Sequence, residues 1–188
     1  MLTAQHLLRA LEKAAASEFR TTMSLKDLHK MRSRTWVARC AEEMHTLYPA
    51  PNVAVFTRHD ERNRERFGLA ELLYDISICE TAVLKSPGLG KNLHYITKAL
   101  WQIESELAEG DSTEWVKDFN KLVIGGAENK MFIGPEMQEN CRNSFLPIAK
   151  QCSGAVYLAA IPHPRMWIPS ALHVSLWKLC DGCWASCG

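Results

Sequence analysis

The chain has 188 residues, of which 47% are apolar and 23% are charged. This length and composition predict one compact domain over residues 1–188 and argue against a disordered chain, a collagen-like repeat or a two-domain enzyme. The 22 Lys and Arg residues against 21 Asp and Glu residues leave a net charge of +1 at pH 7, so binding to nucleic acid would depend on a local basic patch rather than on an overall positive field.

The sequence indicates a protein that is not integral to a membrane. Its longest apolar runs, such as residues 155–161, are far shorter than the roughly 18 residues that span a bilayer. The N-terminal residues 1–12 are amphipathic and lack both the apolar core and the cleavage site of a secretory signal. We therefore predict a cytoplasmic protein.

The cysteines also favour free thiols over a disulfide framework. There are seven of them, an odd number, and they are dispersed along the chain. Cys180, Cys183 and Cys187 have part of the spacing of a zinc site but lack a second paired half. Zinc binding by these three residues is therefore the less favoured interpretation, and the sequence leaves it open.

Two helices are predicted in the N-terminal segment, residues 1–49. The first includes the amphipathic residues 1–12. The second starts after Ser24, where Ser24 and Asp27 form a pair similar to a capping box, and it continues to Tyr48. Two helices are thus expected to precede the first strand.

The hydrophobic pattern then becomes that of an α/β core over residues 53–161. Residues 67–81 and 93–107 are predicted to form paired strands around a turn at residues 86–90. The elements expected next are a helix that ends at residues 125–126, a strand at 130–134, a helix over 137–152 that is bent or broken at Pro147, a strand at 155–161 and a C-terminal helix within residues 165–188, centred on 169–183. This order predicts an α/β fold with a mixed central sheet.

Acidic residues mark the two predicted paired strands. Alternate residues of a strand share a face, so Glu71 and Asp75 are expected on one face of the first strand, and Gln102, Glu104 and Glu106 on one face of the second. Carboxylates clustered at neighbouring strand ends would repel one another unless a cation neutralised them. Mg²⁺ or Mn²⁺ is the ion that suits a site made only of oxygen ligands.

The same spacing has a simpler interpretation. Glu104 and Glu106 could form the solvent face of an edge strand, with Asp75 paired to an arginine, because such alternation is common in half-exposed strands. From spacing alone this interpretation is about as good as a metal site.

The order of elements resembles the PD-(D/E)xK nuclease superfamily, which has the restriction-endonuclease-like fold. The resemblance covers residues 24–161 and depends on Asp75 followed by Glu104-Ser105-Glu106. It implies a three-layer sandwich and a Mg²⁺-dependent endonuclease that hydrolyses phosphodiester bonds in DNA. In that family an aspartate lies on the second core strand and a (D/E)-x-K pair on the third, so Glu106 stands where the family has lysine; some restriction enzymes of the superfamily carry Glu-x-Glu.

The resemblance also implies roles for individual residues. Asp75 and Glu104 would bind the metal, and Glu106 would bind a second ion or orient water. Family members often contribute an acid from the N-terminal helix, for which Glu43 is chosen here over Glu42, and Glu71 would be a further auxiliary acid.

Basic residues have two interpretations as well. A lysine could reach the site from the helix after the second strand, but Lys117 and Lys121 lie four residues apart beside Glu114 and Asp118, which favours surface ion pairs. Residues 26–39 have a local charge of +4, which would suit contacts with phosphates or a solvated helix face.

Two hypotheses follow from these patterns. The first is a metal-dependent nuclease acting on DNA. The second is a non-catalytic nucleic-acid-binding or assembly subunit on the same fold, with a degenerate acidic site. The sequence does not decide between DNA and RNA, between specificities, or between a monomer and a homodimer.

Overall fold

The computed structural model describes residues 2–17, 23–86, 88, 90–108 and 112–187, with residues 91 and 112 described by their backbone alone. The helices are α1 (Ala4–Ala15), α2 (Leu25–Leu47), α3 (Arg64–Phe67), α4 (Ser112–Ile124), α5 (Glu139–Ser144) and α6 (Leu146–Ala149). The strands are β1 (Val53–Phe56), β2 (Ile76–Ser86), β3 (Lys91–Ser105), β4 (Asn129–Pro135), β5 (Ala155–Ile161), β6 (Ser175–Cys180) and β7 (Cys183–Ser186). Single 3₁₀ turns lie at Glu61–Asn63, Pro164–Met166 and Pro169–Ala171.

The seven strands form one open sheet in the order of the chain, β1 to β7. Strands β3, β4 and β5 are parallel to one another, and the remaining neighbours are antiparallel. Parallel neighbours need a crossover, which α4 supplies between β3 and β4, and α5 with α6 supplies between β4 and β5. The predicted α/β fold with a mixed sheet is therefore confirmed.

The two N-terminal helices follow the sequence prediction. Helix α2 begins where the backbone N–H of Asp27 donates to the Ser24 hydroxyl at 3.1 Å. Its buried residues include Trp36, Cys40 and Met44, which recur at four-residue spacing and form one stripe facing the core.

The strands bury alternate residues in two separate hydrophobic clusters. Met131 and Ile133 of β4 belong to the cluster that contains the buried faces of α1 and α2. Phe132, between them, belongs to a second cluster with Phe119 of α4 and Phe145, the residue between α5 and α6. Since successive strand residues point to opposite faces, the helices cover the sheet on both sides.

None of the described helices is both long enough and apolar enough to cross a bilayer.

The prediction of a strand over residues 67–81 is wrong in its first half. Helix α3 ends at Gly68, whose φ of 76° terminates the helix, and β2 begins only at Ile76. Residues 69–75 run outside the sheet, where the carbonyl of Ala70 accepts a hydrogen bond from Thr57 N. Glu71 and Asp75 are consequently not alternate members of one strand.

The predicted C-terminal helix within residues 165–188 is also wrong. Strands β6 and β7 form a hairpin that extends the sheet beyond β5. Asp181 and Gly182 form its two-residue turn with φ values of 49° and 78°, the left-handed pair that a type I′ turn requires. The Asp-Gly dipeptide was the sequence signal for this hairpin.

The helix predicted over residues 137–152 consists of two short helices. The break occurs at Phe145, so that Pro147 stands in the first turn of α6, where its missing N–H costs no helical hydrogen bond. The predicted break near Pro147 is confirmed, and the strand predicted at residues 155–161 coincides with β5.

Candidate functional site

The candidate site lies where β2 begins and β3 ends. These strands are antiparallel, with Ile76 opposite Ile103, so residue 75 is brought beside the last residues of β3. Asp75 Oδ2 accepts hydrogen bonds from the backbone N of Ser105 at 2.9 Å and from its hydroxyl at 2.7 Å. Burial raises the pKa of Asp75, and the two hydrogen bonds from Ser105 oppose that rise. The register of the hairpin therefore fixes the position of this carboxylate.

Glu104 is the second carboxylate of the site and is only 1% exposed. Its Oε2 accepts a hydrogen bond from Lys121 Nζ at 3.2 Å. Its Oε1 is buried and has no hydrogen-bond partner among the described residues. Burial, and after it the charge of Asp75, raise the pKa of Glu104 to about 8. A buried acceptor left without a donor costs free energy, and a bound proton or a bound cation would remove that cost.

Lys121 of α4 stands beside the two carboxylates. Its ammonium contacts Asp118 Oδ1 at 2.7 Å as well as Glu104. Burial acts to lower the pKa of Lys121, but hydrogen bonds and charge from Asp118 and Glu104 outweigh it and raise the pKa. The predicted surface ion pairs are found for Lys117 with Glu114 and for Lys121 with Asp118, but Lys121 also reaches the site.

Glu106 lies beyond the end of β3 and does not contact Lys121. Its backbone N donates to the carbonyl of Ile133 at 3.0 Å, and its Oε1 accepts a hydrogen bond from Ala108 N at 2.7 Å. Gln102, predicted on the same face, accepts a hydrogen bond from Ala127 N near the end of α4. Glu104 and Glu106 therefore take part in different sets of contacts, although they lie two residues apart.

Asp75 and Glu106 both line an open cleft of about 280 Å³. The cleft lies between helix α2 and the chain next to the start of β2 and the end of β3. Its other lining includes Lys30 and Arg34 of α2 and the loop residue His59. Burial lowers the pKa of His59, and the charge of Asp75 opposes that change. Basic and acidic groups thus face one another across this cleft.

Glu43 and Glu71, the two predicted auxiliary acids, do not line the cleft with Asp75 and Glu106. Glu43 is 5% exposed and its carboxylate is bound by Arg9 at 3.1 Å and Lys13 at 2.5 Å, both from α1. Burial would raise the pKa of Glu43, but the hydrogen bonds from Lys13 and Arg9 outweigh it and lower the pKa. Glu43 therefore holds α1 against α2 through these two ion pairs.

Glu71 lines a separate depression beside Arg58 and is not part of the lining of the cleft that contains Asp75. It is exposed and forms an ion pair with Arg58 at 2.9 Å. Because residues 69–75 are not a strand, the two-residue alternation that put Glu71 beside Asp75 does not apply.

Ser105 is a functional residue that the sequence prediction missed. Its hydroxyl and N–H hold Asp75, and the only signal for it was its position between two glutamates.

Cys180 and Cys183 are exposed free thiols opposite each other on the β6–β7 hairpin, and Cys187 follows it.

The residues present fit a divalent cation with few protein ligands. In the described residues, no group of three or more His, Cys, Asp and Glu side chains is arranged to hold a metal. Mg²⁺, however, is usually bound by one or two carboxylates together with water and substrate phosphates. Asp75 and Glu104 would be that pair, since the charge of Asp75 raises the pKa of Glu104 and Glu104 Oε1 has no hydrogen-bond partner among the described residues.

Comparison with known proteins adds no relative. The chain matches no protein-family model, no curated protein and no solved structure.

Proposed function

We propose that this chain is a metal-dependent nuclease that hydrolyses phosphodiester bonds in DNA on a restriction-endonuclease-like, three-layer fold. The observation that carries the proposal is that Asp75 is hydrogen-bonded to Ser105, the residue next to Glu104, and lies near enough for its charge to raise the pKa of Glu104. Glu104 Oε1 is in addition buried and unpartnered among the described residues. Helices on both faces of the sheet support the proposed three-layer arrangement.

Each residue of the site has a proposed role. Asp75 and Glu104 hold Mg²⁺ or Mn²⁺, and Ser105 fixes the orientation of Asp75. The bound ion would polarise the phosphoryl group and lower the pKa of an attacking water. Lys121 keeps its proton, because its neighbours raise its pKa, and it orients Glu104 by a hydrogen bond. Glu106 lines the cleft next to Asp75 and would orient water there or bind a second ion.

The second candidate is a non-catalytic nucleic-acid-binding or assembly subunit with a degenerate acidic site. The observation in its favour is that, of the five predicted acids, Glu43 and Glu71 are engaged by basic residues and Glu106 Oε1 binds a backbone N–H. Under this hypothesis the cleft lined by Lys30 and Arg34 would still bind nucleic acid, but no phosphodiester bond would be broken.

Cleavage of plasmid and single-stranded DNA by the purified protein distinguishes the two candidates. We expect cutting with Mg²⁺ or Mn²⁺ and none with EDTA, because the cation would lower the pKa of the attacking water and stabilise the charge that develops on the phosphoryl group. Gel electrophoresis over a time course measures the rate, and a matched RNA substrate tests the choice of DNA. Absence of cutting on every substrate in both metals would remove the first candidate and leave the second.

A further inference from the structure

Helix α2 presents a row of basic residues that leads into the cleft. Lys26, Lys30 and Arg34 follow one another at four-residue spacing, so they lie on the same side of the helix. Lys30 and Arg34 line the cleft that contains Asp75. Lys26 and Lys30 line an adjoining depression of about 660 Å³. The row therefore runs from this depression to the cleft that Asp75 and Glu106 line.

The cations of this row have no direct ion-pair partner among the described residues, although Asp75 and Glu106 line the same cleft as Lys30 and Arg34. All three side chains are exposed, and within the described part of the chain none of them forms an ion pair. The nearby acid Asp27 is engaged by the Ser24 hydroxyl. Many cations elsewhere are paired, such as Lys13 with Glu43.

Like charges at four-residue spacing on a helix repel one another, so the row costs stability unless an anion binds along it. Four residues of a helix rise by about 6 Å, which is comparable with the separation of neighbouring phosphates along one nucleic-acid strand. His29 and Arg165 also line the adjoining depression. A polyanion fits this arrangement better than a single anion does, because the cations form a line rather than a cage.

We propose that the groove over α2 binds the sugar–phosphate backbone of one DNA strand, with successive phosphates at Lys26, Lys30 and Arg34, and directs that strand to Asp75. The choice of DNA, and of Asp75 as the end point, rests on the proposed function, whereas the path itself rests on the charges of α2. These contacts involve phosphates alone, so binding is independent of base sequence and depends strongly on salt. Three phosphate contacts on a single strand correspond to a slope of about −2 in log K against log salt.

The test is fluorescence anisotropy with a labelled single-stranded DNA 20-mer, in EDTA so that no cleavage takes place. The variants are Lys30→Gln and the triple variant Lys26→Gln, Lys30→Gln and Arg34→Gln. Lys150→Gln is the matched control, because Lys150 is an exposed lysine that lies outside the groove. All the substituted residues are exposed, and Gln has nearly the helix propensity of Lys and Arg, so the fold is retained; circular dichroism checks this.

We expect Lys30→Gln to weaken binding about 3- to 10-fold and to reduce the magnitude of the salt slope by about 0.7, because one phosphate contact is lost. The triple variant should remove most of the slope, and Lys150→Gln should bind as the wild type does. Equal losses in Lys30→Gln and Lys150→Gln would overturn the proposed path, as would an undiminished slope in the triple variant. Tighter binding of an RNA 20-mer than of the DNA would overturn the choice of DNA.

The binding and cleavage assays separate this inference from the proposed function. Binding that depends on Lys30 in EDTA, without cleavage in Mn²⁺, supports the groove and removes the nuclease. Cleavage in Mn²⁺ at an unchanged rate and salt dependence in the triple variant supports the nuclease and overturns the groove.

Discussion

Replacing either carboxylate of the central pair should abolish most of the activity. We expect Asp75→Asn and Glu104→Gln each to reduce metal-dependent DNA cleavage by at least about 100-fold, because even outer-shell partners of a metal contribute 10- to 100-fold and these two residues would be its direct ligands. Both substitutions keep the size of the side chain and remove its charge. Initial cleavage rates in Mg²⁺ and Mn²⁺ measure the effect.

Glu139→Gln is the control for this pair of variants. Glu139 is an exposed acid of α5 whose nearest basic partner, Arg142, is 4.0 Å away. The control should cut at the wild-type rate. Cleavage that survived in Asp75→Asn, or that fell equally in Glu139→Gln, would show that the reaction takes place elsewhere or that the activity is a contaminant.

Glu104→Gln should also stabilise the metal-free protein at high pH. The folded chain has a pKa of about 8 at Glu104 against a reference value of 4.5. Between those values the folded state holds a proton that the unfolded state has lost, so the free energy of unfolding falls as pH rises from 4.5 to 8 and is not changed further by this group above 8. Glutamine resembles the protonated acid at every pH, so the variant escapes this loss.

The expected gain for Glu104→Gln in EDTA is on the order of 4 kcal/mol at pH 9 and about 1 kcal/mol or less at pH 5. Urea denaturation at the two pH values measures it, with Glu139→Gln as the variant that should show no such difference. A gain of equal size at pH 5 and pH 9, or no gain at pH 9, would mean that the pKa of Glu104 is not raised in the folded protein.

The fold was largely predictable because its elements are marked by strong local signals. The capping pair of Ser24 and Asp27, the glycines that follow α4 and the apolar run of β5 each define an element with little need of tertiary context. The predicted C-terminal helix is instead the β6–β7 hairpin, for which Asp181-Gly182 is a strong sequence signal.

The candidate site was predictable only in part, for a physical reason. Strand alternation correctly placed Gln102 and Glu104 on one face of β3, because both residues lie inside that strand. The same rule failed at Glu71 and Glu106, since neither residue lies within a strand. Alternation applies only as far as the strand extends, and strand ends are the part of an element that a single sequence defines least well.

Contacts between distant elements were beyond the reach of sequence patterns. Glu43 is 30 residues from Lys13, and only the packing of α1 against α2 brings the two together. Lys121 reaches Glu104 because α4 packs on the face of β3 that buries it. Lys117 and Lys121 lie on the same side of α4, so position along the helix axis, and not helix phase, decides which of them reaches Glu104.

The central claim is that Asp75 and Glu104 form one cation site, and titration calorimetry with Mn²⁺ at pH 7.5 tests it most directly, without DNA and without catalysis. We expect a saturable binding event in the wild type and in Glu139→Gln, and its loss or a weakening of at least about 10-fold in Asp75→Asn and in Glu104→Gln. An unchanged affinity in both of these variants, or no saturable binding by the wild type, would contradict the claim.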